Sequence, residues 1–209
     1  MQTIAVIGTG NMGRGLAKVL HEAGYAVHLG SRDASRAAQA AEEVGRGVTG
    51  LGNTDAVRNV DVVILAIPFE QDNATLRELR PYLAGKIVID IANPLNASFD
   101  GLTTSPGTSA AELTAQQLPE SRVVGAFKNT LAAVFDNPVF DGQQSTVFVA
   151  GDDEDAKQTV LKLVDSLPFM AIDAGSLAAA RTLEHMSVLL IQVSQRQQYN
   201  WRAAYRILS

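Results

Sequence analysis

Three glycines hold the first chemistry in this chain. They lie in Gly8-Thr9-Gly10-Asn11-Met12-Gly13, directly after the apolar run Thr3-Ile4-Ala5-Val6-Ile7 and before a helical pattern from about Arg14 to Ala23. Strand, Gly-x-Gly-x-x-Gly and helix in that order form a turn that holds the pyrophosphate of a dinucleotide. Gly8 allows the tight turn, Gly10 has no Cβ to obstruct a phosphate, and Gly13 lets the helix pack close to the strand. The helix then aims free N–H groups and a partial positive charge at the anion. Without that context the pattern would be only a glycine-rich loop.

The second strand, Ala26-Val27-His28-Leu29-Gly30, decides which dinucleotide fits. An NAD site places Asp or Glu at its end, about 20 residues past the glycines, on the ribose 2′-OH. This chain instead has Ser31 and Arg32, with Arg36 one turn further on. An acid there would repel a 2′-phosphate, whereas a hydroxyl and two guanidiniums would bind one. NADP is therefore expected. Two alternatives stand beside it: Arg32 and Arg36 as solvated charges, and Asp33 as the ribose acid rather than the cap of a helix starting near Ala34.

Apolar runs and helical stretches alternate along the chain. A short third strand is expected near Val48 to Gly50, then a short helix, about Thr54 to Arg58. Asp61 to Ile67 reads as a strand ended by Pro68, and its continuous β-branched character suits a parallel strand buried on both faces. A helix of about Gln71 to Leu83 leads to a strand at Lys86 to Ile91, closed by Asn93-Pro94. A polar loop, Ala97 to Thr108, precedes a helix at Ser109 to Gln117 and a strand at Arg122 to Phe127. Strands at Thr146 to Ala150 and Phe169 to Ile172 flank a helix at Glu154 to Ser166. This alternation predicts an α/β fold with a doubly wound, mostly parallel Rossmann sheet. Residues 1–145 are expected to form the NADP-binding unit, and 146–209 a small α/β extension ending in a long helix. Ligands of such sheets sit at the carboxyl ends of the strands. The expected cofactor contacts are therefore the glycine turn, Ser31, Arg32, Arg36, Ala66, Ile67, Pro68, Asn93 and Pro94. Phe127, Lys128, Asn129 and Thr130 are expected to wall the second substrate. Lys128 has two readings there, a ligand for an anionic substrate or a solvated loop lysine.

Composition excludes several classes. The chain has 209 residues, 46% hydrophobic, with a net charge of −5 and no cysteine. No basic surface for nucleic acid is implied, and disulfides, thiol catalysis and cysteine metal sites are ruled out. Three histidines far apart, His21, His28 and His185, make a metal site unexpected. No apolar run approaches the ~20 residues that span a bilayer. A cytoplasmic protein without a membrane partner is expected.

Gly175 to Tyr199 reads as one long helix. Leu177, Ala180, Leu183, Met186, Leu190 and Val193 recur at helical spacing, while Val188, Leu189 and Ile191 make another face apolar. Such a helix calls for burial from more than one direction. A homodimer interface is the preferred reading, and packing within its own chain the other.

Several segments together resemble the F420:NADP⁺ oxidoreductases, the NADPH-dependent reductases of the deazaflavin coenzyme F420. They are Ile7 to Gly13, Gly30-Ser31-Arg32, Ala66-Ile67-Pro68-Phe69-Glu70 and Asn93-Pro94-Leu95. Ser109 to Glu112, Ala150-Gly151-Asp152-Asp153, Asp173-Ala174-Gly175 and Ala180-Arg181-Thr182-Leu183-Glu184 complete the set. The resemblance implies hydride transfer between NADP(H) and coenzyme F420, a compact unit with a small C-terminal extension, and a homodimer. It also implies that Ser31 and Arg32 are 2′-phosphate ligands. The chain departs from the family form where a Lys precedes Ala-Phe, since Gly125 stands there. Catalysis by stacking two redox rings asks little of side chains, and no catalytic residue is expected. A flavin or ferric reductase, or a non-catalytic NADP(H) sensor, remain alternatives.

Overall fold

A computed structural model describes residues 2–208. Five βα steps build the first part. They run β1 (Thr3–Ile7), α1 (Asn11–Glu22), β2 (Ala26–Ser31), α2 (Ala34–Val44), β3 (Val48–Gly52), α3 (Asn53–Val57), β4 (Val62–Leu65), α4 (Ala74–Leu83), β5 (Ile87–Asp90) and α5 (Ala110–Gln117). After β6 (Arg122–Gly125) come β7 (Val139–Phe140), β8 (Gln143–Gly151), α6 (Glu154–Asp165), β9 (Phe169–Asp173) and α7 (Ala180–Arg196). The sheet order is β3-β2-β1-β4-β5-β6-β8-β7, with β9 on β8. β1 to β6 are parallel, β8 meets β6 antiparallel, and β9 lies parallel to β8.

Burial explains the parallel arrangement. All residues of β4 and β5 are buried, as expected of strands covered by helices on both faces. Alternation divides β1 between two cores. Ile4 and Val6 join Leu16 and Leu20 of α1, whereas Ala5 and Ile7 join Val57, Leu76 and Leu79 of α3 and α4. The first core continues past residue 145 through Val147, Val149, Val160 and Phe169. The boundary expected at 145/146 thus falls within β8, a strand of the same sheet.

Local chemistry sets the element ends. α2 starts at Ala34 because the Asp33 carboxylate accepts from Ser35 N at 2.9 Å. α4 starts at Ala74, three residues later than the helical pattern suggested, because Asn73 caps it. β6 ends at Gly125 rather than Phe127, where the backbone turns left-handed with φ 55°. β7 and the early start of β8 form a hairpin absent from the sequence reading. Asp141 and Gly142, with φ of 49° and 79°, make its two-residue turn. The single long helix expected from Gly175 is shorter: Leu177–Ala179 form a 3-10 turn, and α7 spans only Ala180–Arg196. Residues 202–207 then return along β8, with Thr146 N donating to Tyr205 O and Ile207 N to Thr146 Oγ1.

Candidate functional site

The strand order reverses between β1 and β4, with β2 on one side of β1 and β4 on the other. A cleft of about 860 Å³ opens there over the strand ends. Its middle is the glycine turn. Gly8 has φ 121°, and a Cβ on it would stand 2.2 Å from Ala66 O. A Cβ on Gly13 would stand 1.9 Å from Gly8 O, so this glycine allows α1 to approach β1. A Cβ on Gly10 would meet nothing within 4 Å. That open space lies where α1 begins, in a cleft lined by Gly8, Thr9, Gly10, Asn11 and Met12. Gly13 shapes the turn from behind and is not part of the lining.

One end of the cleft is cationic. Ser31 and Arg32 at the end of β2 and Arg36 in the first turn of α2 line it. Neither guanidinium lies within ion-pair distance of a carboxylate among the described residues. Asp33 also borders the cleft, but its carboxylate is engaged by Ser35 N and by Ser35 Oγ at 2.6 Å. Those two hydrogen bonds hold its carboxyl below the ordinary value. Asp33 therefore caps α2 through Oδ1. Asn53, a residue the sequence reading missed, sits beside Gly30, and its Oδ1 is buried without a partner.

The other end is mainly apolar. Ala66, Ile67 and Pro68 after β4 and Asn93 after β5 line it as expected, whereas Pro94 does not. Thr130, Leu131 and Ala132 follow from the β6 exit, and Ser187 and Ile191 of α7 close the wall. Sequence reading missed Ser187 and Ile191. Their signal was a serine interrupting an apolar helix four residues before an isoleucine, hence on one face.

The expected substrate wall is corrected in three of its four residues. Phe127, Lys128 and Asn129 are no more than 1% exposed and do not line the cleft; Thr130 alone does. Phe127 packs edge-on against Phe169, 5.8 Å between centroids. Asn129 donates to Thr146 O at 2.7 Å and so ties the β6 exit to β8. Lys128 is neither a cleft ligand nor a solvated lysine. Its Nζ reaches Asp90 Oδ1 at 2.6 Å, Glu184 Oε1 at 2.9 Å and Ala92 O at 2.6 Å. Three donors thus meet three acceptors, which a fully buried ammonium needs. Burial opposes its charge most strongly, yet Asp90 and Glu184 together outweigh it and hold the lysine above its ordinary value. Burial in turn pushes the Glu184 carboxyl up, against the pull of Lys128. Glu184 also accepts from Ala110 N at 3.1 Å, at the start of α5, and Thr114 Oγ1 donates to Asp90 Oδ2 at 2.7 Å.

The open space at Gly10, the free guanidiniums and the orphaned amide oxygen fit NADP. A doubly wound sheet with this glycine turn and cleft is the architecture of a dinucleotide-binding protein. Residues 3–94 match the family model described as NADP oxidoreductase, coenzyme F420-dependent. The F420-dependent NADP reductase of Methanocaldococcus jannaschii is 36% identical over 206 residues, with 90% of each chain covered. A crystal structure of a putative F420-dependent NADP reductase from Arthrobacter sp. FB24 superposes with a TM-score of 0.84 at 30% identity, covering 93% of this chain and 94% of that one. The rat Metalloreductase STEAP3 is 31% identical over 188 residues, which cover 90% of this chain but 37% of that protein. The chain belongs to the F420-dependent NADP reductase family.

Proposed function

We propose that the protein is an NADP(H)-dependent oxidoreductase that passes hydride between the nicotinamide of NADP(H) and the deazaflavin ring of coenzyme F420. The observation that carries this reading is the polarity of the cleft. A free cationic pair, Arg32 and Arg36, stands at one end, and an apolar end lined by Ile67, Leu131 and Ile191 stands at the other. The identity of the acceptor rests on the relatives' names.

When bound, NADPH supplies hydride, and the deazaflavin accepts it together with a proton from solvent. The residues' part is to bind, orient and exclude water. Gly8, Thr9, Gly10, Asn11 and Met12 cradle the pyrophosphate at the start of α1. Ser31, Arg32 and Arg36 hold the 2′-phosphate by charge-assisted hydrogen bonds. Ala66, Ile67, Pro68 and Asn93 floor the nicotinamide end. Thr130, with Leu131, Ser187 and Ile191, walls the place where the second ring stacks. Asp33, already engaged as a cap, is the one carboxylate in the lining, which suits a reaction whose chemistry belongs to the two rings.

Two further readings belong with this one. The apolar outward face of α7, with Leu189 53% and Val193 39% exposed, supports a homodimer through that helix. Among the described residues no helix is long and apolar enough to cross a membrane, and we take the protein to work in the cytoplasm without a nucleic-acid partner.

The test is absorbance of the purified protein with NADPH or NADH and oxidised F420, run beside FMN, FAD and a ferric chelate. Bleaching of the deazaflavin with NADPH, much slower with NADH, is the expected result. Arg32→Ala should raise the NADPH Kd by about tenfold or more while leaving the NADH Kd within about twofold. Flavin or ferric reduction without deazaflavin reduction would favour the acceptor class suggested by the likeness to Metalloreductase STEAP3. Tight NADPH binding with no turnover would make the protein a sensor.

A further inference from the structure

Lys128 belongs to no cleft surface, yet the chain bends its backbone to bury it. Phe127 holds φ 55°, a left-handed conformation that a bulky side chain adopts only where its surroundings enforce it. That turn brings Lys128 back beneath β6, where its Cε lies 3.3 Å from the point a Cβ on Gly125 would occupy. Gly125 leaves the room that the lysine stem fills.

The ammonium joins three segments at one point. Asp90 ends β5, Ala92 follows it in the cleft floor, and Glu184 stands on α7, three residues before Ser187 and seven before Ile191. On α7 these three positions follow helical spacing down one side. The lysine's own carbonyl accepts from Asn93 Nδ2 at 2.7 Å, so the same residue also fixes the amide orientation of the neighbouring floor residue. Glu184 is fully buried and Asp90 2% exposed. A buried ion cluster of this kind is a poor source of stability, since apolar side chains of similar volume would serve as well. Its distinctive property is fixed geometry, here between the floor and the far wall of one end of the cleft.

We propose that Lys128, with Asp90 and Glu184, is a positioning cluster for the hydride-transfer end, holding Ala92–Asn93 and the Ser187/Ile191 face of α7 at the spacing that presses the nicotinamide against its partner ring. The proposal rests on the NADP(H) reading above and extends it to residues outside the cleft. Hydride transfer needs the reacting carbons in a near-attack arrangement, and a displacement of about 1 Å costs roughly 100-fold in rate. The adenosine end, built on β2 and the α1 turn, touches none of the three residues and should not register the change.

The experiment compares wild type, Lys128→Met and Glu184→Gln. Three readouts serve: the Kd of 2′,5′-ADP, which lacks the nicotinamide half; the fluorescence lifetime of bound NADPH, which reports how firmly the nicotinamide is held; and single-turnover F420 reduction with NADPH deuterated or not at the transferred position. Lys128→Met is expected to leave the 2′,5′-ADP Kd within about twofold, shorten the lifetime, slow hydride transfer roughly 10- to 100-fold and enlarge its isotope effect. If Lys128→Met does not fold, Glu184→Gln carries the same comparison, because it keeps the Lys128–Asp90 pair and weakens only what Glu184 holds, Lys128 and the start of α5. A folded variant with wild-type lifetime and rate overturns the proposal, as does an equal loss of 2′,5′-ADP and NADPH binding. Wild type that binds NADPH but leaves F420 untouched would refute the acceptor assignment alone, since the lifetime readout needs no acceptor.

Discussion

Two glycines three residues apart do opposite work. Gly13 touches protein and Gly10 touches nothing, so equal substitutions should have unequal effects. Gly10→Val places its side chain in the open cleft. It should lower NADPH affinity by about 100-fold or more while unfolding free energy stays within about 1 kcal/mol of wild type. Gly13→Val drives a Cβ into Gly8 O and should destabilise the fold by roughly 3 kcal/mol or more. Isothermal titration and urea unfolding of both variants separate the effects, and the reverse pattern would refute the assignment. The close approach at Gly13 was legible in the sequence because its partner, Gly8 O, lies in the same turn. Lys128 was not legible. Its acceptors lie on β5 and α7, and no spacing in the chain announces that a lysine after β6 folds inward to meet them.

Among the elements, α5 and α7 are fastened twice, inside by Glu184 on the Ala110 N–H and outside by Arg181 on Glu112, with Arg181 Nε 2.9 Å from Glu112 Oε2. The outer pair has a pH signature. The Arg181 hydrogen bond, against some burial, holds the Glu112 carboxyl below its ordinary 4.5. A depressed carboxyl stabilises the fold above the unfolded-state value and loses that contribution as pH falls through the folded one. The Tm gap between wild type and Arg181→Ala should therefore be constant from neutrality to about pH 5 and close as the pH falls through the lowered value of the Glu112 carboxyl. A gap that persists in acid would assign Arg181 a packing role instead. Element types were readable from periodicity along most of the chain. What escaped were ends and reversals: the Asp141-Gly142 hairpin, whose first strand, β7, is too short to show alternation, and the start of α7, where a 3-10 turn continues helical spacing without being the same helix.

At the scale of the whole molecule, the α/β alternation sufficed to predict the doubly wound sheet, and with it the line of strand ends where the cleft opens. It did not show that the far wall would come from α7, since closing the cleft depends on how the C-terminal helix returns across the sheet. One face of α7 supplies Ser187 and Ile191 to the cleft, and another leaves Leu189 and Val193 in solvent. A second copy covering that outer face would bury the apolar pair and brace the wall at once. Leu189→Glu combined with Val193→Glu should shift sedimentation from dimer to monomer while far-ultraviolet circular dichroism is unchanged. A monomeric wild type would remove the dimer reading.

The hydroxyl of Tyr205 donates to Met186 O at 2.9 Å, and the backbone around it is stitched to Thr146. The residue before Ser187 is thus held by a segment made after the helix it steadies. The proposed phosphate cradle, by contrast, draws on β1, α1 and β2, which all precede that segment in the chain. A growing chain would therefore acquire its grip on an adenosine phosphate long before its seat for the reactive ring. The two halves of one cofactor would be served by stretches made at different times, and the reactive half would wait for a segment far from the motif that advertises the site.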